Sequence, residues 1–134
     1  MTWVRNADSV NSTSLFVAYP VANEVMARVV RSSQAREDLK DIGRYIARES
    51  GDRSVATRFV RRIGEKCEQY ARQPLMGESR DELATGIRCF PVSSYVVFYE
   101  PLDDGILVHT VIHGACDIPA VFRKLLGAFP ALRG

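Results

Sequence analysis

The sequence predicts an α+β domain with an N-terminal strand, an antiparallel two-helix hairpin, a three-stranded antiparallel meander and a short C-terminal helix. Two observations carry this prediction. Apolar residues recur every three or four positions between Ser33 and Tyr70, the period of an amphipathic helix. From Ile87 to Ile112 the chain is instead rich in β-branched and aromatic residues, interrupted by turn signals. Helices and strands separated along the chain in this way pack as the layers of an α+β domain.

The helical half follows a strand-like segment, Ala27–Arg31. Ser32 or Ser33 can cap the first helix, and Gly51 can end it. The apolar stripe of this helix consists of Ala35, Leu39, Ile42 and Ile46. The connection at residues 50–52 is short enough to make the two helices antiparallel.

The second helix is expected to start at Asp52 or Ser54 and to end at Pro74, which lacks a backbone N–H. Its apolar stripe consists of Ala56, Phe59, Val60, Ile63, Cys67 and Tyr70. Gly64 lies within this helix, where glycine costs about 1 kcal/mol relative to alanine. We attribute this glycine to a close approach of the first helix.

Three strands are predicted in the second half of the chain, at Ile87–Val92, Tyr95–Glu100 and Ile106–Ile112. The turn signal Asp104–Gly105 separates the last two, and strands at this spacing make an antiparallel meander. Asp117 can then cap a short final helix. The apolar residues of that helix are Ile118, Val121, Phe122, Leu125 and Leu126.

A chain of 134 residues is long enough for one domain with a single core. We place this domain at residues 26–126, with an N-terminal extension of unknown role at 1–25 and a tail at 127–134. Within the extension, the apolar run Leu15–Tyr19 is expected to pack on the domain or to add an edge strand. No apolar run approaches the roughly 18 residues that span a bilayer, so we expect neither a membrane anchor nor a signal peptide.

Charge and cysteine usage favour a cytoplasmic protein without a metal or a cofactor. The net charge of +2 is too small to indicate direct DNA binding. Three irregularly spaced cysteines, Cys67, Cys89 and Cys116, fit neither a disulfide framework nor a C-x-x-C site. His109 and His113 are four residues apart on a predicted strand, so they lie roughly 13 Å apart and cannot share an ion.

A thiol-based catalytic site would need Cys89, His113 and Asp117 within hydrogen-bond reach of one another. One strand of the meander separates Cys89 from His113, which places them about 9 to 10 Å apart. We therefore predict that Cys89 is a small buried residue of the core.

The helical hairpin carries a different candidate site, a set of arginines interleaved with glutamates. They could bind phosphate or an acidic partner segment, or form a solvated face of mixed charge. These arginines are Arg44, Arg48, Arg53, Arg58, Arg61 and Arg62.

One segment resembles a known family. From Arg88 to Tyr99 the chain matches R-x-F-P-V-x-x-Y-x-x-F-Y, which is typical of ParE-like toxins, the plasmid-stabilisation branch of the RelE/ParE superfamily. The next strand of that family often closes with V-x-H-G-x-R-D, and Val111–Asp117 matches it except that Cys116 replaces the arginine. The resemblance covers about residues 26–125.

The resemblance implies a toxin of a type II toxin–antitoxin system that inhibits DNA gyrase by binding it and is neutralised by a cognate antitoxin. RelE-like members instead cleave ribosome-bound messenger RNA, which requires cations around the scissile phosphate. Here the positions that correspond to the catalytic residues of RelE hold Ile87, Cys89, Val96, Cys116 and Phe122. A nuclease that uses Arg88 and His113, or a non-toxic relic, are the alternatives.

Two sets of residues are the candidate binding surfaces. Polar groups at the end of the sheet and on the last helix are expected to contact the target, namely Arg88, His113, Asp117, Arg123 and Lys124. Surplus apolar residues of the last helix and arginines of the hairpin are expected to contact the antitoxin, namely Arg44, Arg48, Arg58, Arg62, Phe122, Leu125 and Leu126. The apolar patch could instead serve a homodimer or a toxin–antitoxin hetero-oligomer, or be covered by Leu15–Tyr19.

Overall fold

The computed structural model describes residues 27–128, which form a five-stranded sheet with helices packed against it. The predicted extension at 1–25, with Leu15–Tyr19, and nearly all of the predicted tail lie outside the described residues. In chain order the elements are β1 (Arg28–Arg31), α1 (Ser33–Ser50), α2 (Arg53–Arg72), a 3-10 turn (Pro74–Met76), β2 (Glu78–Ser79), β3 (Arg88–Val92), β4 (Tyr95–Leu102), β5 (Gly105–His113) and α3 (Ile118–Ala128).

The helical hairpin begins and turns at the predicted caps. The side chain of Ser32 accepts a hydrogen bond from the N–H of Ala35, and Gly51 ends α1 in a left-handed conformation with a φ of 69°. Asp52 then caps α2 by accepting a hydrogen bond from the N–H of Ser54. Hydrogen bonds from the Ser54 hydroxyl and N–H hold the pKa of Asp52 below its ordinary value. The helices therefore start where side-chain oxygens can satisfy the first free N–H groups.

The sheet has the order β1-β5-β4-β3-β2, with the predicted meander β3-β4-β5 at its centre. The N-terminal strand pairs in parallel with β5, and the first contact of this pair joins Arg28 to Gly105. A Cβ atom at Gly105 would overlap the backbone of Arg28, so this approach requires a glycine. The two-residue strand β2 extends the other edge of the sheet and was not predicted.

α1 is fixed to β5 at a bulge. The register between β4 and β5 shifts so that His109 is an extra residue in its strand. The Asp38 carboxylate of α1 accepts hydrogen bonds from the Thr110 hydroxyl at 2.6 Å and from the Val111 N–H at 2.9 Å. The Ser32 hydroxyl donates to the His109 carbonyl oxygen at 2.8 Å. The bonds to the Val111 N–H and the His109 carbonyl oxygen satisfy backbone groups of β5 beyond Val108, where the pairing with β1 has ended.

The sheet contributes to two separate cores. Alternate residues of a strand point to opposite faces, so neighbours such as Val97 and Phe98 belong to different clusters. The larger cluster lies under α1 and α2, and it includes Ile42, Ile63, Phe90, Val97, Tyr99 and Val108. The smaller cluster lies under α3 and consists of Ala84, Ile87, Cys89, Phe98, Ile112 and Phe122. The burial of Cys89 confirms its predicted place in the core.

Gly64 of α2 has a different role from the one that the sequence suggested. The group nearest to a Cβ atom at Gly64 is the guanidinium of Arg31, at 3.6 Å. The predicted close approach of the first helix at this point is therefore wrong, because the neighbour belongs to β1. Gly43 of α1 is the glycine that faces the other helix, since its Cβ would lie 3.7 Å from Val60 Cγ2.

Within residues 27–128, no helix has both the length and the apolar character needed to cross a membrane.

Candidate functional site

An open groove of about 490 Å³ lies between α1 and α2. It is lined by Leu39, Lys40, Gly43, Arg44, Ala47, Arg53, Ala56, Thr57 and Val60. The small side chains of Ala47 and Ala56, together with Gly43, leave space between the helices that larger residues would fill. The sign of this groove in the sequence is a pair of small residues, Gly43 and Ala47, that are four positions apart and lie outside the apolar stripe facing the sheet.

Three cations surround the apolar part of this groove. Arg44 forms a 2.7 Å ion pair with Asp41, and Lys40 lies 3.8 Å from Glu37. These pairs are exposed, and exposed ion pairs contribute little, so both cations can turn to a new partner at small cost. Arg53 has no acidic partner among the described residues. An apolar groove with a cationic rim suits an amphipathic helix that carries carboxylates.

Of the four arginines predicted to contact an antitoxin, the structure brings one into the groove, Arg44. Arg58 is exposed and its guanidinium donates to the Ser54 hydroxyl at 3.3 Å. Arg48 and Arg62 are exposed and do not line the groove. Lys40 and Arg53 also line the groove. Arg53 was among the hairpin arginines that could bind an acidic segment but was not assigned to the antitoxin, and Lys40 was not predicted, because the sequence does not show which cations lie beside a gap between two helices.

Phe122 requires a correction. We expected an exposed apolar patch on the last helix, but the Phe122 side chain is only 1% exposed and lies edge-on to Phe98, with ring centroids 5.0 Å apart. Leu126 packs against the same cluster, and Leu125 is half-buried. The physical reason is that the second face of the sheet needs a cover, and α3 supplies it.

Arg88 is used within the fold. Its Nη1 donates to the carbonyl oxygens of Gly77 at 2.7 Å and Leu75 at 3.1 Å. The guanidinium therefore holds the chain that follows α2 against β3. Because its Nη1 is bonded to these backbone oxygens, the Arg88 guanidinium stabilises the fold and is less available to a ligand.

The other predicted target-binding residues lie close together in sequence but have different roles. His113 is exposed, packs edge-on against Tyr95 at 5.0 Å, and accepts a hydrogen bond from the Ala115 N–H at its Nδ1. Asp117 caps α3 by accepting from the Ala120 N–H. Arg123 and Lys124 are exposed on α3, and the described part of the chain gives neither of them an ion pair.

The turn Pro74–Gly77 is a feature that the sequence did not reveal. The hydroxyl of Tyr99 is buried beneath it, donates to the Pro74 carbonyl oxygen at 2.6 Å and accepts from the Gly77 N–H at 3.0 Å. A Cβ atom at Gly77 would overlap this hydroxyl. Above this fixed backbone, Leu75 is 69% exposed and Met76 is 44% exposed. The only sign in the sequence is a pair of large apolar residues inside a polar, turn-prone stretch.

Thiol chemistry finds no support in the geometry. Cys89 is buried on β3, with β4 between it and His113 on β5. Burial raises the pKa of the Cys89 thiol, although Arg80 lies 3.9 Å from its sulfur. Cys116 is exposed. Among residues 27–128, no three His, Cys, Asp or Glu side chains are grouped so that they could hold a metal ion.

Comparison with known proteins agrees with this architecture. The chain has the fold of a solved structure, the chromosomal ParDE TA system from P. aeruginosa, with a TM-score of 0.57 and 17% sequence identity. That match covers 66% of this chain and 96% of the other. No curated protein has a sequence significantly similar to this chain. The family model for the ParE toxin of the type II toxin–antitoxin system parDE matches residues 29–118, so the chain belongs to the ParE toxin family.

Proposed function

We propose that this toxin inhibits DNA gyrase by binding it, without catalysing a reaction, and that a cognate antitoxin neutralises it from the groove between α1 and α2. The toxin thus binds a target, and the antitoxin prevents that binding. Different residues support each of these two interactions.

The chemistry of the sheet supports binding rather than RNA cleavage. Cleavage needs free cations around a phosphate and a group that moves a proton. The positions that correspond to the catalytic residues of RelE hold side chains that cannot supply a cation, and Ile87, Cys89 and Phe122 are buried. Arg88, which lies between Ile87 and Cys89, donates to backbone carbonyl oxygens. Because Arg88 is bonded within the fold, we favour a toxin that binds its target over one that cleaves RNA.

The shape and charge of the groove support the antitoxin. Its α1 wall runs from Leu39 to Ala47, which is about 12 Å of helix, so it can seat roughly two turns of a partner helix. Apolar side chains of that helix would contact Leu39 and Val60. Its carboxylates would pair with Lys40, Arg44 and Arg53, which gives the complex its orientation.

A supercoiling assay tests the target. Purified protein added to DNA gyrase and relaxed plasmid is expected to reduce supercoiling in proportion to its concentration. The product of the neighbouring reading frame, added first, is expected to restore supercoiling. Unchanged gyrase activity, together with cleavage of messenger RNA in a translation mixture, would overturn the proposal in favour of a ribosome-dependent nuclease.

A pair of variants tests the groove. Ala47→Glu places a bulky anion in the groove and is expected to weaken antitoxin binding by at least about tenfold, because each ~1.4 kcal/mol is a factor of ten. Arg48→Glu is the control, since it makes a larger change of charge one residue away without lining the groove. Equal effects of the two variants would mean that net charge, and not the groove, controls binding. Thermal unfolding of both variants checks that the fold is kept.

A further inference from the structure

Large apolar side chains are rarely exposed in the described part of this chain. Three are exposed within residues 27–128, and two of them are neighbours, Leu75 and Met76. The third, Tyr45, lies on α1, which is a different element. An adjacent pair of exposed apolar residues on a short turn is a feature that folding alone does not require.

The backbone beneath this pair is held by side chains from two strands. Tyr99 binds the Pro74 carbonyl oxygen and the Gly77 N–H, and Arg88 binds the Leu75 and Gly77 carbonyl oxygens. The turn therefore presents its two apolar side chains on a fixed backbone. A surface that is ordered before binding loses less conformational freedom when a partner binds.

A small cleft with a cation adjoins the turn. Its volume is about 140 Å³, and it is lined by Gln69, Arg72, Gln73 and Met76. Arg72 is exposed at the end of α2, and the described residues offer it no carboxylate partner. Apolar contacts and a donor for a carboxylate thus lie side by side on one edge of the molecule.

This surface is separate from the groove. Along α2, Val60 in the groove and Gln69 in the cleft are nine residues apart, which is about 13 Å of helix. An antitoxin helix seated in the groove could reach the turn through roughly four extended residues. Binding in the groove and masking of the turn are therefore compatible.

We propose that the turn Pro74–Gly77, together with Arg72, is the surface by which this toxin contacts its protein target. It fits a segment of that target in which an apolar pocket lies beside a carboxylate. Two apolar side chains on a narrow edge are too few for a stable dimer, which buries about 1,200 Å² or more. They suffice as the central contact of a complex whose partner supplies the pocket. This inference rests on the proposed function, because it assumes that the toxin acts by binding a protein.

The double variant Leu75→Gln/Met76→Gln tests the inference, with Tyr45→Gln as the matched control. DNA gyrase and relaxed plasmid are the probe, and the measurement is the protein concentration that halves supercoiling. We expect the double variant to need roughly 30-fold more protein, the effect of losing a central contact of an interface. Tyr45→Gln is expected to stay within about twofold of wild type. Arg72→Glu, a second variant on another element, is expected to weaken inhibition in the same direction.

Circular dichroism melts first establish that each variant is folded, and the substituted side chains are exposed in every case. If the wild type inhibits gyrase and the folded double variant inhibits equally well, the inference is overturned while the proposed function stands. If the wild type leaves gyrase unaffected, gyrase is not the target. The two proteins are then compared by the growth arrest that their expression causes. Equal growth arrest by wild type and double variant then overturns the inference. A wild type that neither inhibits gyrase nor arrests growth overturns both.

Discussion

Removing the hydroxyl of Tyr99 is expected to destabilise the protein because two hydrogen bonds are lost. Tyr99→Phe deletes one oxygen atom and leaves the buried ring in place. The Gly77 N–H, which is buried, then loses its acceptor, and the Pro74 carbonyl oxygen loses its donor. A buried donor left without a partner costs about 1–3 kcal/mol, so we expect the free energy of unfolding to fall by about 2 kcal/mol.

Thermal and urea unfolding measure this loss. For a domain of this size, about 2 kcal/mol corresponds to a fall in Tm of roughly 10 °C. The control is Tyr70→Phe, which deletes the same atom from a ring that stacks on Phe90 with centroids 3.9 Å apart. The structure describes no hydrogen bond for the Tyr70 hydroxyl, so this variant is expected to stay within about 0.5 kcal/mol of wild type.

A Tyr99→Phe variant as stable as wild type would show that the turn does not depend on the buried hydroxyl. An equal loss of unfolding free energy in both tyrosine variants would assign the loss to the rings. A destabilised Tyr99→Phe variant that keeps full inhibition of its target would show that the turn need not be rigid to bind.

Three further changes have defined outcomes. Gly105→Ala should cost about 3 kcal/mol in urea unfolding because its Cβ overlaps the β1 backbone, whereas Gly127→Ala, with open space around it, should gain up to about 1 kcal/mol. Asp38→Ala should cost about 3 kcal/mol by leaving the Thr110 hydroxyl and a backbone N–H unsatisfied, and a loss below about 1 kcal/mol would contradict the described bonds. Burial raises the pKa of Cys67 from 9.0 to about 11, so stability should be full below pH 9 and fall by as much as ~3 kcal/mol as the pH rises to about 11. Cys67→Ala should flatten that fall, and an unchanged slope would assign it to other groups.

The local elements were predictable because their signals are short in range. Ser32, Gly51 and Asp52 specify the ends of the helices through bonds to residues two to four positions away. The strands of the meander follow from composition and from the turns between them. These features depend only on residues that are close in the chain, so they can be predicted from a single sequence.

The candidate surfaces were predictable only in part. The sequence shows that the hairpin carries cations, but the groove depends on which small residues of two helices face each other. Phe122 was expected to be exposed because no local pattern shows that the second face of the sheet needs a cover. The hydrogen bonds of Arg88 could not be predicted, because its acceptors, 11 and 13 residues away, are backbone atoms that every sequence contains.

The sequence by itself determined the order and type of the three helices and the four longer strands, the caps of the hairpin and the resemblance to the ParE toxins. Only the tertiary structure decided that β1 pairs with β5, that α3 closes a second core, and that a fixed turn presents Leu75 and Met76 to solvent. The physical reason is the range of the interactions. Periodicity and capping act between near neighbours, whereas the contacts of Tyr99 and Asp38 join residues 22 to 73 positions apart and exist only once the layers have packed.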